Sequence, residues 1–363
     1  MTSTETVQDR GPDTGTDGAA AAIRRRGSLP RWAMPGTFAA AVVVAALLIT
    51  TTSLNGVVVV LGAGLVATVA VVGASRAVEG RRKATDRLVT CLVTAAFLLA
   101  LLPLISLLLT VVSKGLARLD GAFFNQSMLG ILGPGGGAYH AILGTLIITA
   151  ITSALSVPIG LLTAVYLVEY GHGRLKQALT FLIDVMTGIP SIVAGLFAYA
   201  LFVIFFGPGV RMGLVGAVAL SVLMIPVVVR SSEEVIKLVP NELREASYAL
   251  GVPKWRTIMR VVLPTATAGL GTGVTLAIAR VIGETAPLLV TVGITNATNQ
   301  DPLHGRMATL PVFAYYQLTQ PGVPPQNGID RAWTAAFVLI AIVLALNLIA
   351  RLISRIFAPK TGR

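Results

Sequence analysis

The chain has 363 residues, of which 55% are hydrophobic and 12% charged, and its mean hydropathy is +0.81. Soluble domains carry about 25% charged residues, so a soluble globular protein is excluded and an all-α polytopic membrane protein is expected. The net charge of +12 does not indicate nucleic acid, because the cations stand at the ends of apolar runs, where membrane topology places them. One cysteine, Cys91, and three scattered histidines, His140, His172 and His304, offer neither a disulfide framework nor a metal site.

Residues 1–35 are rich in Thr, Gly, Ala, Asp and Arg and read as a disordered cytoplasmic tail. That tail is too long for the charged start of a cleavable signal. Arg24, Arg25, Arg26 and Arg31 serve topology or touch anionic lipid head groups. A membrane span needs roughly 20 apolar residues. Eight runs qualify: Gly36–Ser53, Asn55–Ala74, Leu88–Val112, Ala141–Val168, Thr187–Phe206, Met212–Val229, Thr265–Val292 and Ala332–Phe357. The first two, with the basic linker up to position 87, form a helical hairpin. Residues 358–363 are a short tail.

Most of the 28 basic residues fall on one side of this arrangement, in the tail, the 76–87 linker, the 174–176 and 230–260 segments and the C-terminal end. Lys114, Arg118, Arg211, Arg306 and Arg331 fall on the other. Both termini are therefore cytoplasmic. Two outer segments are long, Lys114–His140 and Gly293–Arg331. The GPGGGA run of the first reads as a turn into the next helix or an anion-binding nest. Phe313, Tyr315 and Tyr316 of the second mark the membrane interface or a ligand cage.

Residues 240–264 form a polar island between apolar runs. Asn241 is an expected N-cap, and Glu242 and Glu245 favour the start of a helix. Leu243, Ala246 and Leu250 share one face. Gly251 suits the left-handed position that ends the helix, and Pro253 the first turn of the next. A helix of about nine residues is not stable alone in water, so the exposed stripe requires a partner surface or lipid. The string E-A-S-x3-G-x9-V-x-L-P, starting at Glu245, resembles the EAA loop of bacterial ABC importer permeases. Ser247 and Val261 depart mildly from that family's pattern. The resemblance implies that this loop seats in a groove of a cytoplasmic ATPase, with Glu245 and Gly251 shaping the knob and Leu243, Ala246 and Leu250 packing into the groove.

The next run holds Arg280 and Glu284 at i and i+4. Sixteen residues from Pro264 is about 24 Å of helix, which puts Arg280 past the midplane, toward the outside. An arginine there costs roughly 2.5–3.5 kcal/mol and faces a bundle interior or a wet cavity. Gly269, Thr272, Gly273, Leu276, Arg280, Gly283 and Glu284 are expected on one mostly small, polar face. The face suits an anion path, with Glu284 holding Arg280 when empty, or a brace between helices.

ARVIGETAPLL (279–289), TGIPSIVAGLF (187–197), VPNELREASYALGVPKW (239–255) and GGGAYHAILGTL (135–146) together resemble the PstA-type permease subunits of phosphate-specific ABC importers, across about residues 88–357. The resemblance implies a type I importer permease core of six helices, here with the hairpin added, in a bacterial plasma membrane. It implies a second permease in a heterodimer, a dimeric ATP-binding subunit, an extracytoplasmic phosphate-binding protein and inorganic phosphate as cargo, with no cofactor. No Walker motif is present, so ATP hydrolysis belongs to a partner chain. The alternatives are a permease for sulfate or molybdate, a secondary transporter with paired broken helices, for which only Gly188–Pro190 offers a break, and a membrane enzyme resting on Asp184 and Glu284.

Overall fold

A computed structural model describes residues 29, 30, 32–51 and 56–357. Most of the expected N-terminal tail, the arginines at 24–26 and 31, the turn at 52–55 and the tail at 358–363 lie outside the described residues. Among the described residues every regular element is helical. In chain order these are α1 (Ala33–Thr51), α2 (Gly56–Val78), α3 (Arg81–Gly115), α4 (Gly121–Asn125), α5 (Tyr139–Val165), α6 (Gly173–Gly188), α7 (Ser191–Phe206), α8 (Gly213–Lys237), α9 (Asn241–Ala249), α10 (Lys254–Thr257), α11 (Leu263–Val281), α12 (Ala286–Thr291), α13 (Leu310–Thr319) and α14 (Pro325–Phe357). Seven helical stretches among them are long and apolar enough to cross a membrane, or eight if the α6–α7 pair counts as one bent span.

The chain divides into two compact units at Ser106/Leu107. In the first, α1 packs on α2, and the α2–α3 corner is organised by Glu79. Its carboxylate accepts hydrogen bonds from Ser75 Oγ at 2.8 Å and the Leu29 amide at 2.9 Å, and pairs with Arg87 at 2.9 Å. Burial opposes its ionisation, but these donors and Lys83 outweigh that and hold its carboxyl below the usual carboxylate range.

The second unit is built around α8, which packs on α5, α7 and α11. Small residues let the backbones approach. A methyl group placed on Gly160 of α5 would lie 2.6 Å from Val228, and one on Gly273 of α11 would lie 2.7 Å from Ser231 Oγ. The central core joins Ile148, Leu220, Met224, Val228, Ala277, Val281 and Leu288.

Two expected spans are not continuous. Thr187–Phe206 is interrupted at Ile189–Pro190, where α6 and α7 meet at 109°. Pro190 brings no N–H and forces the preceding Ile189 into extended backbone (φ −70°, ψ 126°). The run Thr265–Val292 breaks between Val281 and Ala286. In an unbroken helix the Pro287 ring would strike the carbonyl of Gly283, so a new short helix starts instead, with Pro287 in its first turn. The helices that follow the two breaks pack closely: a methyl on Gly195 of α7 would lie 2.7 Å from Pro287 Cα in α12.

Candidate functional site

The polar island folds as the helix–corner–helix expected, with two shifts in its caps. Pro240, not Asn241, occupies the N-cap, with φ −58° and ψ 140°. Asn241 is the first helical residue, and its Oδ1 accepts from Arg244 Nη1 at 3.2 Å. The ring fixes Pro240's φ, and its missing N–H is one that a helix start leaves unpaired in any case. Pro253 likewise caps α10 from the preceding position rather than entering its first turn. At the corner, Gly251 has φ +75°. Its N–H donates to Tyr248 O at 2.9 Å and the Val252 N–H to Ser247 O at 3.2 Å, the paired bonds of a Schellman termination.

Leu243, Glu245, Ala246 and Leu250 are all exposed, Leu250 at 83%. Tyr248, Trp255 and Met259 extend this exposed apolar group. Ser247, which departs from the family string, is buried and its hydroxyl lies 2.8 Å from that of Thr257, tying α9 to α10 across the corner.

What holds the elbow to the membrane helices was not readable from the chain. Beyond Val165, α5 continues as a π-helical turn, Tyr166–Tyr170, which carries the buried Glu169. Arg244 of α9 donates from Nε and Nη2 to Glu169 Oε1 at 3.0 and 2.9 Å. The same guanidinium donates to Ile236 O at 3.1 Å and Val239 O at 2.6 Å, closing the C-terminal end of α8. Lys254 donates to the Glu169 carbonyl and lies 5.0 Å over the Tyr170 ring. A second π turn, Ile258–Val262, joins α10 to α11. Such turns recur where a helix must aim a group; here the first presents Glu169 to the elbow. Removing one partner of a buried ion pair costs about 3–5 kcal/mol. Glu169→Ala is therefore expected to speed amide exchange in α9 by at least ~100-fold while α5 and α8 keep their protection. Unchanged exchange in α9 would show that the elbow is held by other contacts.

Higher on the same side, Arg230 of α8 pairs with Asp184 of α6 and donates to Glu233 at 3.0 Å, and Lys237 reaches Glu233 at 2.7 Å. Asp184, considered from sequence as an enzyme carboxylate, is thus a partner of Arg230.

The polar face of the broken span divides in the structure. Gly269 and Gly273 turn into α8, against Val235 and Ser231, whereas Thr272, Leu276 and Arg280 form an exposed stripe one turn apart. Arg280 sits in the last turn of α11, and its guanidinium makes no hydrogen bond or ion pair among the described residues. The helix ends before Glu284, so the expected i,i+4 pairing of Glu284 with Arg280 does not occur. The Glu284 backbone N–H instead donates to Val281 O at 3.1 Å, and its side chain is half-buried.

Comparison with known proteins completes the picture. Residues 156–363 match the family described as "Binding-protein-dependent transport system inner membrane component". The phosphate transport system permease protein PstA 1 of Mycobacterium tuberculosis is 47% identical over 286 residues, 78% of this chain and 91% of that protein. The phosphate transport system permease protein PstA of Pasteurella multocida is 38% identical over 285 residues, 78% of this chain and 97% of that one. Among solved structures, a bacterial alginate ABC transporter in complex with an alginate-pentasaccharide-bound periplasmic protein is similar in fold, with a TM-score of 0.53, 13% identity and coverage of 77% of this chain and 97% of that one. The elbow with its glycine corner, the helical core and these relatives agree, and the chain belongs to the family of binding-protein-dependent transport system inner membrane components, on its PstA branch.

Proposed function

We propose that this chain is the membrane-spanning permease subunit of an ATP-driven importer of inorganic phosphate. The observation that carries the reading is the combination of 38–47% identity to phosphate permeases with an apolar elbow exposed at Leu243, Ala246 and Leu250 and pinned to α5 and α8 through Arg244. In this reading the elbow seats in a dimeric cytoplasmic ATPase. A second permease completes a heterodimeric pathway, and an extracytoplasmic binding protein delivers phosphate. The Arg244–Glu169 pair passes a displacement of the elbow to α5. Thr272 and Arg280 line the path: their stripe is uncovered among the described residues, and a free guanidinium offers the planar fork that oxyanions take. Glu284 stands beyond the break as a negative charge that keeps anions from resting there.

Two measurements test this. Deleting the chain should abolish high-affinity uptake of radiolabelled phosphate, with uptake restored by the intact gene and insensitive to excess sulfate or molybdate. Purification in mild detergent should recover an ATPase with the chain. Phosphate uptake without any attached ATPase would overturn the reading.

A further inference from the structure

Two arginines at the outer end of the second unit have anchored backbones and side chains with no bonded partner among the described residues. Arg211 precedes α8, and Arg306 lies in the long segment between α12 and α13. Each is followed by a buried methionine, Met212 and Met307, which anchors its backbone. The two loops are locked together: Leu214 N–H donates to Pro302 O at 2.8 Å, and a methyl on Gly213 would lie 3.1 Å from both Pro302 Cα and Met307 Sδ. Asn299 Nδ2 donates to His304 O at 2.7 Å and Arg306 O at 3.0 Å.

Both side chains converge on Gly293, one short helix outward of the Arg280 break. A methyl group there would lie 3.0 Å from Arg211 Cδ, 3.2 Å from Arg211 Nη1 and 3.5 Å from Arg306 Cδ. The two Cδ atoms are thus no farther apart than the sum of 3.0 and 3.5 Å. Gly293 is left-handed (φ +68°) and buried, so the backbone leaves room for the guanidinium. Both arginines are exposed, and neither guanidinium has a hydrogen bond or ion pair among the described residues. Asp301 of the same loop bonds elsewhere: it lies 2.7 Å from His304 Nδ1 and accepts from the Leu303 amide at 2.8 Å, not from either guanidinium.

Two cationic side chains whose Cδ atoms lie this close, with no acid bonded to either guanidinium among the described residues, concentrate positive potential that a small anion would relieve. We infer that Arg211 and Arg306 form a receiving site for a small oxyanion at the outer mouth, where phosphate is captured before it passes Arg280. This rests on the proposed function for the identity of the cargo. Fixed positive charge at a mouth raises local anion concentration and entry rate by 10–1,000-fold, with steep salt dependence, and a pair of forks fits a tetrahedral oxyanion better than ammonium groups do.

The test uses the complete transporter with its binding protein in proteoliposomes. The double variant R211Q/R306Q is expected to lower phosphate uptake about tenfold at low salt and to lose the salt dependence of the wild type. It should also abolish the 31P line broadening of inorganic phosphate added to the transporter without binding protein, while R211K/R306K keeps part of each. Wild-type uptake and broadening in the glutamine variant would overturn the inference. So would a loss of uptake matched by loss of binding-protein association with the broadening intact, which would make the pair a protein-docking contact. If the wild type carries sulfate or molybdate instead of phosphate, the function proposed above fails, and the same variants measured with that oxyanion still decide the site.

Discussion

Arg280→Ala is expected to reduce phosphate uptake by about two orders of magnitude, the loss seen when one preorganised donor to a charged species is removed, while the complex assembles in normal amount. A guanidinium in a spanning helix costs roughly 2.5–3.5 kcal/mol to insert, and no partner among the described residues returns that cost: the Arg280 guanidinium makes no hydrogen bond or ion pair there. Its position in the last turn of α11 gains modestly from the helix dipole, by about 0.3–1 kcal/mol, too little to explain its presence. Removing it should therefore leave the fold intact or slightly more stable. Arg280→Lys keeps the charge and loses the planar fork, so it should recover only part of the activity. Glu284→Gln should have the smaller effect, because the chain break prevents Glu284 from pairing with Arg280. Loss of the second permease from purified Arg280→Ala complexes would instead identify Arg280 as a brace between chains.

The apolar runs made the spans readable, because a 1.5 Å rise and a fixed membrane thickness leave little freedom. The corner at Gly251 was readable for a similar reason: a left-handed position after a helix selects glycine. The break at Gly188–Pro190 was readable from its glycine and proline, but continuity failed at Pro287: hydropathy runs smoothly through it, and ring sterics act on single residues that an averaged window does not resolve. The Arg280–Glu284 pairing failed with it, as an i,i+4 relation exists only while the helix persists. The pin on the elbow was hidden because Glu169 and Arg244 are 75 residues apart, and each looks alone like an ordinary charge at a helix end. Arg211 and Arg306 were readable as outer charges, but their convergence on Gly293 depends on two loops meeting in space.

Gly251→Leu should uncouple transport from ATP hydrolysis more severely than any exposed-face change in the elbow. Among the described residues no atom beyond its chain neighbours lies within 4 Å of the position a Cβ would take, so the damage does not come from a clash there. It comes from the backbone: φ is +75°, and a branched L-residue held in the left-handed region costs about 1–2 kcal/mol. A nine-residue helix has little intrinsic stability to absorb that, and relaxing the corner breaks the Gly251–Tyr248 and Val252–Ser247 bonds that set the angle between α9 and α10. Arg244 would still tie α9 to α5 and α8, so the spans should keep their thermal stability. The exposed Leu250 and Trp255 would then no longer present one surface, and ATPase co-purification should fall at least ~10-fold, as expected for a loss of about 1.4 kcal/mol. Gly251→Asn, which tolerates the left-handed region, should retain most coupling and separates backbone strain from side-chain bulk. Glu245→Lys should weaken association without moving the corner, since Glu245 is exposed at the elbow and the change there is one of charge. Full ATPase association in both Gly251→Leu and Glu245→Lys would place the motor contact elsewhere on the chain.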